Sequence, residues 1–470
     1  MLESNRSPDP SPPHSQRAPA KPKRPPLVAG YPLVGLVPSL LRDSLGTVTA
    51  ATKKHGEMVR LRIGPTEAYL FAHPDHAQHI LEEKSKVYTK EGSLWEAAQT
   101  LVGRGIGNTD GEGWLKNRRA MQPQFQRSRI ADLTVIMAKE TRRLLDELQR
   151  EVAAGRRTLS LFAEIRRMVS MVFFKTMFDT SIDGGDMEKL LKAMRESFSS
   201  VDTLLWTSFL PSWMPVPGLR KYQAAVSALD AIVYRVIQER LDHPAERDDL
   251  LNLLMKSLDV KSGDADGKRQ LRDEVATMIV ATQDGPSLML AWGLTELARH
   301  PDADATLRRE VADKVGERDA GLEHAHSLAY TKGVLEESLR LYPPLWLTFR
   351  LATEEDVIDG CRIPKGAMVL LCPYLTHRNA AFWESPDTFD PSRFTRPGGA
   401  PSHRGAYLPF GLGAHLCIGK HIGLLFGQIF MAEFVKRFTL RLPPDARIQP
   451  KGMVSLQPAH EVMVELETRP

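Results

Sequence analysis

Two regimes of patterning divide the chain. Between residues 27 and 72, turns containing Pro and Gly alternate with short apolar runs. The run Met58-Val59-Arg60-Leu61-Arg62-Ile63 switches side with every residue and stops at Gly64-Pro65, which predicts hairpin strands and a small sheet. Beyond it, apolar residues recur every three or four positions over 75–86, 113–121, 130–153, 161–178, 187–199, 220–241 and 271–299, the period of helices with one face on a core. The last of these would be roughly 45 Å long and ends at His300-Pro301, as expected of a helix that crosses the whole core. A further helix over 331–341 is closed by Pro343-Pro344, and 356–371 carries the punctuation of strands and turns. An irregular stretch, 382–413, is dense in Pro, Gly, Ser and Arg, and an amphipathic helix follows over 420–438. A loop that long inside a compact domain is usually functional. There is no internal repeat. The fold class is mainly α with a small β-rich region.

Composition changes this picture only at the start of the chain. Of 470 residues, 42% are hydrophobic and 26% charged, ordinary values for a globular protein with a sizeable core. Residues 1–26 are rich in Pro and Ser, nearly free of large apolar side chains, and read as a disordered tail ahead of one large domain over 27–470. Arg6, Arg17, Lys21, Lys23 and Arg24 against Glu3 and Asp9 account for most of the formal +4, so the body is close to neutral and a nucleic-acid partner is not suggested. No apolar run has the ~20 residues of a membrane span, and no basic-then-apolar leader opens the chain. A soluble, cytoplasmic protein is expected. Three cysteines, an odd count, argue against a disulfide framework and for a ligand or nucleophile. Cys361 and Cys372 read as buried structural cysteines.

Cys417 reads differently. It ends the long loop within Phe410-Gly411-Leu412-Gly413-Ala414-His415-Leu416-Cys417-Ile418-Gly419 and stands where a helix begins, so the positive end of the helix dipole favours the thiolate. The glycines would let the backbone pass close under a flat macrocycle. Through Phe410, Gly413, His415, Cys417 and Gly419 the chain resembles the cytochrome P450 family, whose haem signature is Phe-x-x-Gly-x-Arg/His-x-Cys-x-Gly. Two more of its motifs follow in the family's order. Glu337-Ser338-Leu339-Arg340 resembles the Glu-x-x-Arg pair, and Pro391-Ser392-Arg393-Phe394 the later element whose arginine completes a buried charge triad.

The resemblance implies haem b with Cys417 as the metal ligand, and propionate donors at Trp114 and Arg118 on one helix face, at Arg350, at His415 and at Lys90. It also implies reductive activation of O₂ and oxidation of an apolar small molecule, since thiolate ligation favours O–O cleavage. With no flavin, nicotinamide or iron–sulfur segment fused, electrons come from a separate ferredoxin or flavodoxin-type donor, or peroxide replaces them. Lys116, Arg119, Arg127, Arg129 and Lys420 form a candidate basic face for an acidic donor. A monomer is expected.

The long helix departs from the family, which carries Ala-Gly-x-Asp/Glu-Thr-Thr at its centre. Here the stretch reads Ala281-Thr282-Gln283-Asp284-Gly285-Pro286-Ser287. The acid is present as Asp284, but Gly285 stands where the alcohol belongs, and Pro286 has no N–H for the Thr282 carbonyl and should widen or kink the helix. Asp284 and Thr282 are the catalytic candidates. Without the hydroxyl, proton delivery should leak toward hydrogen peroxide unless substrate or water replaces it. The alternatives are coupling, ring closure or rearrangement without oxygen insertion, peroxide-driven turnover, and tolerated drift in a slow hydroxylase. A non-catalytic scaffold is a more distant alternative, disfavoured by the intact cysteine and Glu-x-x-Arg pair.

Other features have plainer readings. His73, His76 and His79 diverge around a helix and read as solvated. Residues 204–217 are aromatic and apolar and fall where the family has its substrate-access lid. Pocket walls are expected from 94–106, 277–286, 345–349 and 453–456, with Trp346 and Phe349 implying an apolar, moderately large substrate.

Overall fold

In the computed structural model, residues 23–179, 184–207, 209–210, 214, 216–243, 249–261 and 264–469 are described. Helices dominate, and every segment of helical period forms one. The bounds shift by a few residues: Gly111–Met121, Arg127–Ala153, Leu161–Phe178, Gly184–Trp206, Leu219–Asp242, Ala265–Arg299 and Ala329–Leu341. The segment at 75–86 splits into the α-turn Pro74–Gln78 and a π-turn, His79–Glu83. Part of the lid segment and most of the tail lie outside the described residues. Lys23–Pro26, read as tail, instead dock on the domain: the Lys23 N–H donates to Gly360, and the Pro25 and Pro26 carbonyls accept from Arg60.

The expected hairpin pairs Met58–Ile63 with Thr66–Phe71 antiparallel. Thr66–Phe71 then pairs parallel with Met368–Leu371, which pairs antiparallel with Thr348–Ala352, giving a six-stranded sheet edged by Leu27–Val28 and Tyr88–Thr89. Against the reading of 27–72 as turns and strands, Val37–His55 is a helix with a break at Asp43. Its threonines, valines and Gly46 are weak helix formers, so the local signal is poor. Packing of Leu40, Leu45, Val48 and Ala51 in the core shared with this sheet, together with Leu61, Leu70 and Trp346, decides the matter.

The central helix Ala265–Arg299 is capped by Asp264, whose carboxylate accepts from the Gly267 N–H, and is buried along most of its second half. It runs through Pro286 as one continuous α-helix. A new helix, Pro301–Lys314, starts at once after His300, with Pro301 in the first-turn position that proline suits. The helix after Cys417, Lys420–Arg437, is not amphipathic as expected: every residue from Phe426 to Val435 is buried, so both faces meet protein.

Candidate active site

The cysteine loop is held from behind by a buried charge cluster. Glu337 and Arg340, three apart on one helix, form a double contact at 2.7 and 2.8 Å, and Arg393 Nε donates to Glu337 Oε1 at 3.2 Å, all three essentially without solvent exposure. Both guanidinium groups spend their remaining donors on loop carbonyls. Arg340 reaches His377, Pro386 and Thr388; Arg393 reaches Glu384 and Ser385. His377 extends the network. Its Nδ1 faces the Arg340 carbonyl at 3.1 Å, and its Nε2 accepts from the Leu408 N–H at 2.9 Å, two residues before Phe410. Accepting at Nε2 requires a neutral ring, and burial pushes the pKa of His377 down to about 3. Nothing in the sequence around His377 marked it.

From Leu408 the chain turns twice through glycine. Gly411 and Gly413 have φ of +74° and +69°, and a Cβ on Gly413 would collide with the Leu81 carbonyl. Gly413 is therefore needed for close packing on the His79–Glu83 turn. The Cys417 N–H donates to the Phe410 carbonyl at 2.9 Å. Burial raises the Cys417 thiol pKa, while the N–H groups of Gly419 and Lys420 and the Arg118 guanidinium pull it back toward thiolate. The residue as a whole is nevertheless exposed. Lys420 lies over the Phe410 ring, 5.8 Å from its centre.

Beside the cysteine, the fold gathers cations that it does not neutralise. Arg350 is buried and Lys90 half-buried, and among the described residues neither forms an ion pair. Lys90 Nζ donates to the Gly107 carbonyl at 2.8 Å, and Arg350 donates to its neighbour Phe349 at 2.6 Å. Burial and then Arg350 press the Lys90 pKa down to about 7; burial lowers Arg350 to about 10. Both approach the ring of Trp95, at 5.6 and 6.0 Å. Asp110 is the one acid in the cluster. It accepts from the Lys90 backbone N–H and from His415 Nε2 at 2.6 Å, and these bonds outweigh burial to hold it below the usual carboxylate range. His415 Nδ1 and Trp95 Nε1 are buried without partners among the described residues, and the His415 ring rests on Trp114 at 4.3 Å between centres.

An excess of buried cations with idle donors suits a dianionic edge. The two propionates of a haem fit it, with Lys90, Arg118 and Arg350 as donors, His415 Nδ1 joining them when the ring carries its second proton, and Trp114 and Trp95 as walls. Trp95 and Asp110 were not singled out from sequence. An acid paired with the histidine of the cysteine loop from 305 residues away leaves no local signal.

The distal candidates separate. Thr282 is half-exposed, but its hydroxyl donates to its own helix, to Met278 at 2.7 Å and Ile279 at 3.2 Å. Asp284 is buried on another side, with Oδ1 3.2 Å from Nη2 of Arg166 on the helix Leu161–Phe178. Ser287 is buried and bonds back to Gln283. Ala281 is exposed and Gly285 and Pro286 are half-exposed, so no side-chain hydroxyl of 282–287 is free along that side. A Cβ on Gly285 would meet nothing within 4 Å.

Other expectations were corrected. Trp346 is core, not pocket wall: its indole donates to the Met453 carbonyl at 2.6 Å under Gly452. The three histidines are not free solvated side chains: His76 is buried, and His73 and His79 are half-buried. His76 is buried against Asp359 at 2.6 Å, His79 bonds Asp356 at 2.7 Å, and His73 caps the helix at Asp75. Cys372 is buried, with its pKa pushed up to about 12, whereas Cys361 is only half-buried. In the basic face, Lys116, Arg119 and Arg127 are exposed, and Arg129 is engaged by Gln124 and Asp132.

An exposed cysteine beside backbone N–H groups, next to a cluster of cations in excess over its one acid on a mainly helical scaffold, fits the class of thiolate-ligated haem proteins. The chain belongs to the cytochrome P450 family: the family's pattern, described as Cytochrome P450, matches residues 25–465. It is similar to cyclooctatin synthase of Streptomyces melanosporofaciens, with 30% identity over 91% of this chain and 92% of that one. It is also 30% identical to cyclooctat-9-en-7-ol 5-monooxygenase of the same organism, over 88% of each. To pentalenene oxygenase of Streptomyces avermitilis the identity is 26%, over 93% and 96%. The protein is a P450 monooxygenase with a haem cofactor. Among the described residues no helix is long and apolar enough to cross a membrane.

Proposed function

We propose that this monooxygenase hydroxylates, or otherwise inserts one oxygen atom into, a cyclic terpene hydrocarbon or alcohol in secondary metabolism. It would do so in the cytoplasm as a monomer, using haem b and a ferredoxin or flavodoxin-type donor. The substrate class follows from the names of its relatives and from the apolar segments around the central helix. The exposed Lys116, Arg119 and Arg127 support an acidic donor.

Bound haem supplies the activation of O₂. The chain's residues do the rest: Cys417 would hold the iron; Lys90, Arg118, Arg350 and His415 would orient the propionates; Asp284, tethered by Arg166, would serve in the proton relay. The observation that carries the distal mechanism is the side of the central helix at Ala281, Gly285 and Pro286, which offers no free hydroxyl. The Thr282 carbonyl also lacks the helical N–H four residues on, because residue 286 is proline. A hydroxyl on the substrate, or a water bound by that carbonyl, would take the place of the missing threonine. The same lack of an alcohol favours a second outcome, oxidative coupling, ring closure or rearrangement without oxygen insertion, whether driven by a reductase or by peroxide.

Gly285→Thr tests the first reading, since the new side chain has open space. With cyclic terpene hydrocarbons, which carry no hydroxyl, hydrogen peroxide released per NAD(P)H should fall about tenfold in the variant. Unchanged leakage would count against a proton-delivery gap at residue 285. Product mass separates the two outcomes: a gain of one oxygen supports insertion, a loss of two hydrogens supports coupling or desaturation.

A further inference from the structure

The central helix also carries a clamp on the substrate-side segment that precedes the Trp114 helix. The Arg104 N–H donates to Asp273 Oδ2 at 2.8 Å, and the Ile106 N–H to Glu274 Oε2 at 3.0 Å. Arg272 donates to the Leu101 carbonyl at 2.8 Å. Side chains on Gly103 and Gly105 would collide with Asp273 and Thr277, and a Cβ on Gly107 would stand 3.2 Å from Thr277. Glycine at every second position lets this backbone lie flat on the helix.

Glu274 differs from the other residues of the clamp. It has no solvent exposure, and among the described residues no cation pairs with it. Its second oxygen accepts from Asn117 Nδ2 at 2.5 Å, and Asn117 sits on the same helix as Trp114 and Arg118. A buried carboxyl without a cation is costly. Burial raises its pKa to about 7, although both neutral donors pull the other way. A glutamine would avoid the desolvation cost, but the site presents two donors and an amide has only one acceptor. The far end of the segment is tied as well, since Lys90 Nζ holds the Gly107 carbonyl.

We propose that Glu274 is a positioning residue: one carboxylate oxygen fixes the segment 103–107, the other fixes the helix bearing Trp114 and Arg118, and displacement of the segment by a substrate is thereby felt at the haem-edge donors. This rests on the haem-enzyme reading for the identity of those donors, but not on which reaction the enzyme performs.

The test uses the haem-loaded protein and two readouts that need no substrate. One is opening of the segment, followed as initial trypsin cleavage after the exposed Arg104 and as amide exchange at Ile106. The other is transfer of haem to apomyoglobin. Glu274→Gln should accelerate both by about tenfold, because one of two buried donors loses its acceptor. In the double variant Glu274→Gln/Asn117→Asp, the amide can accept from Ile106 and donate to the new carboxylate, so both rates should return to within about threefold of the parent. Asn117→Ala separates the two arms: haem transfer speeds up while the segment stays protected. The proposal is overturned if Glu274→Gln changes neither rate, if the double variant is as loose as the single, or if Asn117→Ala opens the segment as much as it frees haem. Should Glu274→Gln alone yield no holoprotein, recovery of holoprotein in the double variant supports the proposal, and failure of both overturns it.

Discussion

Single residues divide into those that stabilise the polypeptide and those that stabilise only the loaded site. Lys90 belongs to the second kind: it is half-buried, desolvation depresses its pKa, and among the described residues its ammonium bonds one carbonyl and no carboxylate. Holding it there costs the haem-free chain stability, and a propionate offsets that cost. Lys90→Met should therefore raise the melting temperature of the haem-free protein by about 1–3 °C. The same variant should speed haem loss about tenfold. A drop in haem-free stability would show that Lys90 is a structural residue instead. The histidines at 73, 76 and 79 show what residue-scale reading misses. Their spacing around a helix says nothing of Asp356 and Asp359, which arrive from a hairpin nearly 280 positions later.

Among the elements, the buried triad decides where the cysteine loop lies. Glu337 and Arg340 pair within one helix, a contact legible in the sequence, but an exposed pair at that spacing would contribute only a few tenths of a kcal/mol. Arg393 and five loop carbonyls turn it into the anchor of the stretch before Cys417. Arg393→Lys keeps the charge but lacks the fork that reaches Glu337, Glu384 and Ser385 together. It should cost about 2–4 kcal/mol in urea unfolding and lower the haem content of purified protein. A loss below about 0.5 kcal/mol would mean that the loop is held elsewhere. Helices with strong periodicity were legible to within a few residues. Val37–His55 was not, because its residues favour other conformations and its stability comes from the sheet beneath.

For the whole molecule, acid sensitivity should carry the signature of His377. Its folded pKa of about 3 lies below the ~6.5 of an unfolded histidine, so the unfolded chain binds the extra proton between those values. The contribution of His377 is thus complete above about pH 6.5 and is lost as pH falls toward 3, at about 1.4 kcal/mol per pH unit for one proton. Unfolding by urea at pH 7 and pH 5 should show this loss, and His377→Gln should reduce the difference between the two. An unchanged difference would place the loss between pH 7 and pH 5 on groups other than His377; Asp356 and Asp359 cannot supply it, because their histidine partners hold their pKa values below the ordinary carboxylate range and their contribution drains only below about pH 4.

The sequence by itself determined what depends on neighbours within a few turns. That covers the helical periods, the hairpin at Met58–Phe71, the cysteine entering its helix behind two glycine turns, and the lack of an alcohol at Gly285 between Asp284 and Pro286. Tertiary structure alone decided which polar groups meet. It put Asp110 on His415, Arg166 on Asp284 and Glu274 between Ile106 and Asn117, and among the described residues it left Lys90 and Arg350 without an ion pair, with Asp110 as their nearby acid. The physical reason is that buried charges are placed by whatever the packed helices bring within about 3 Å of them, and partners more than a hundred residues apart leave no local pattern.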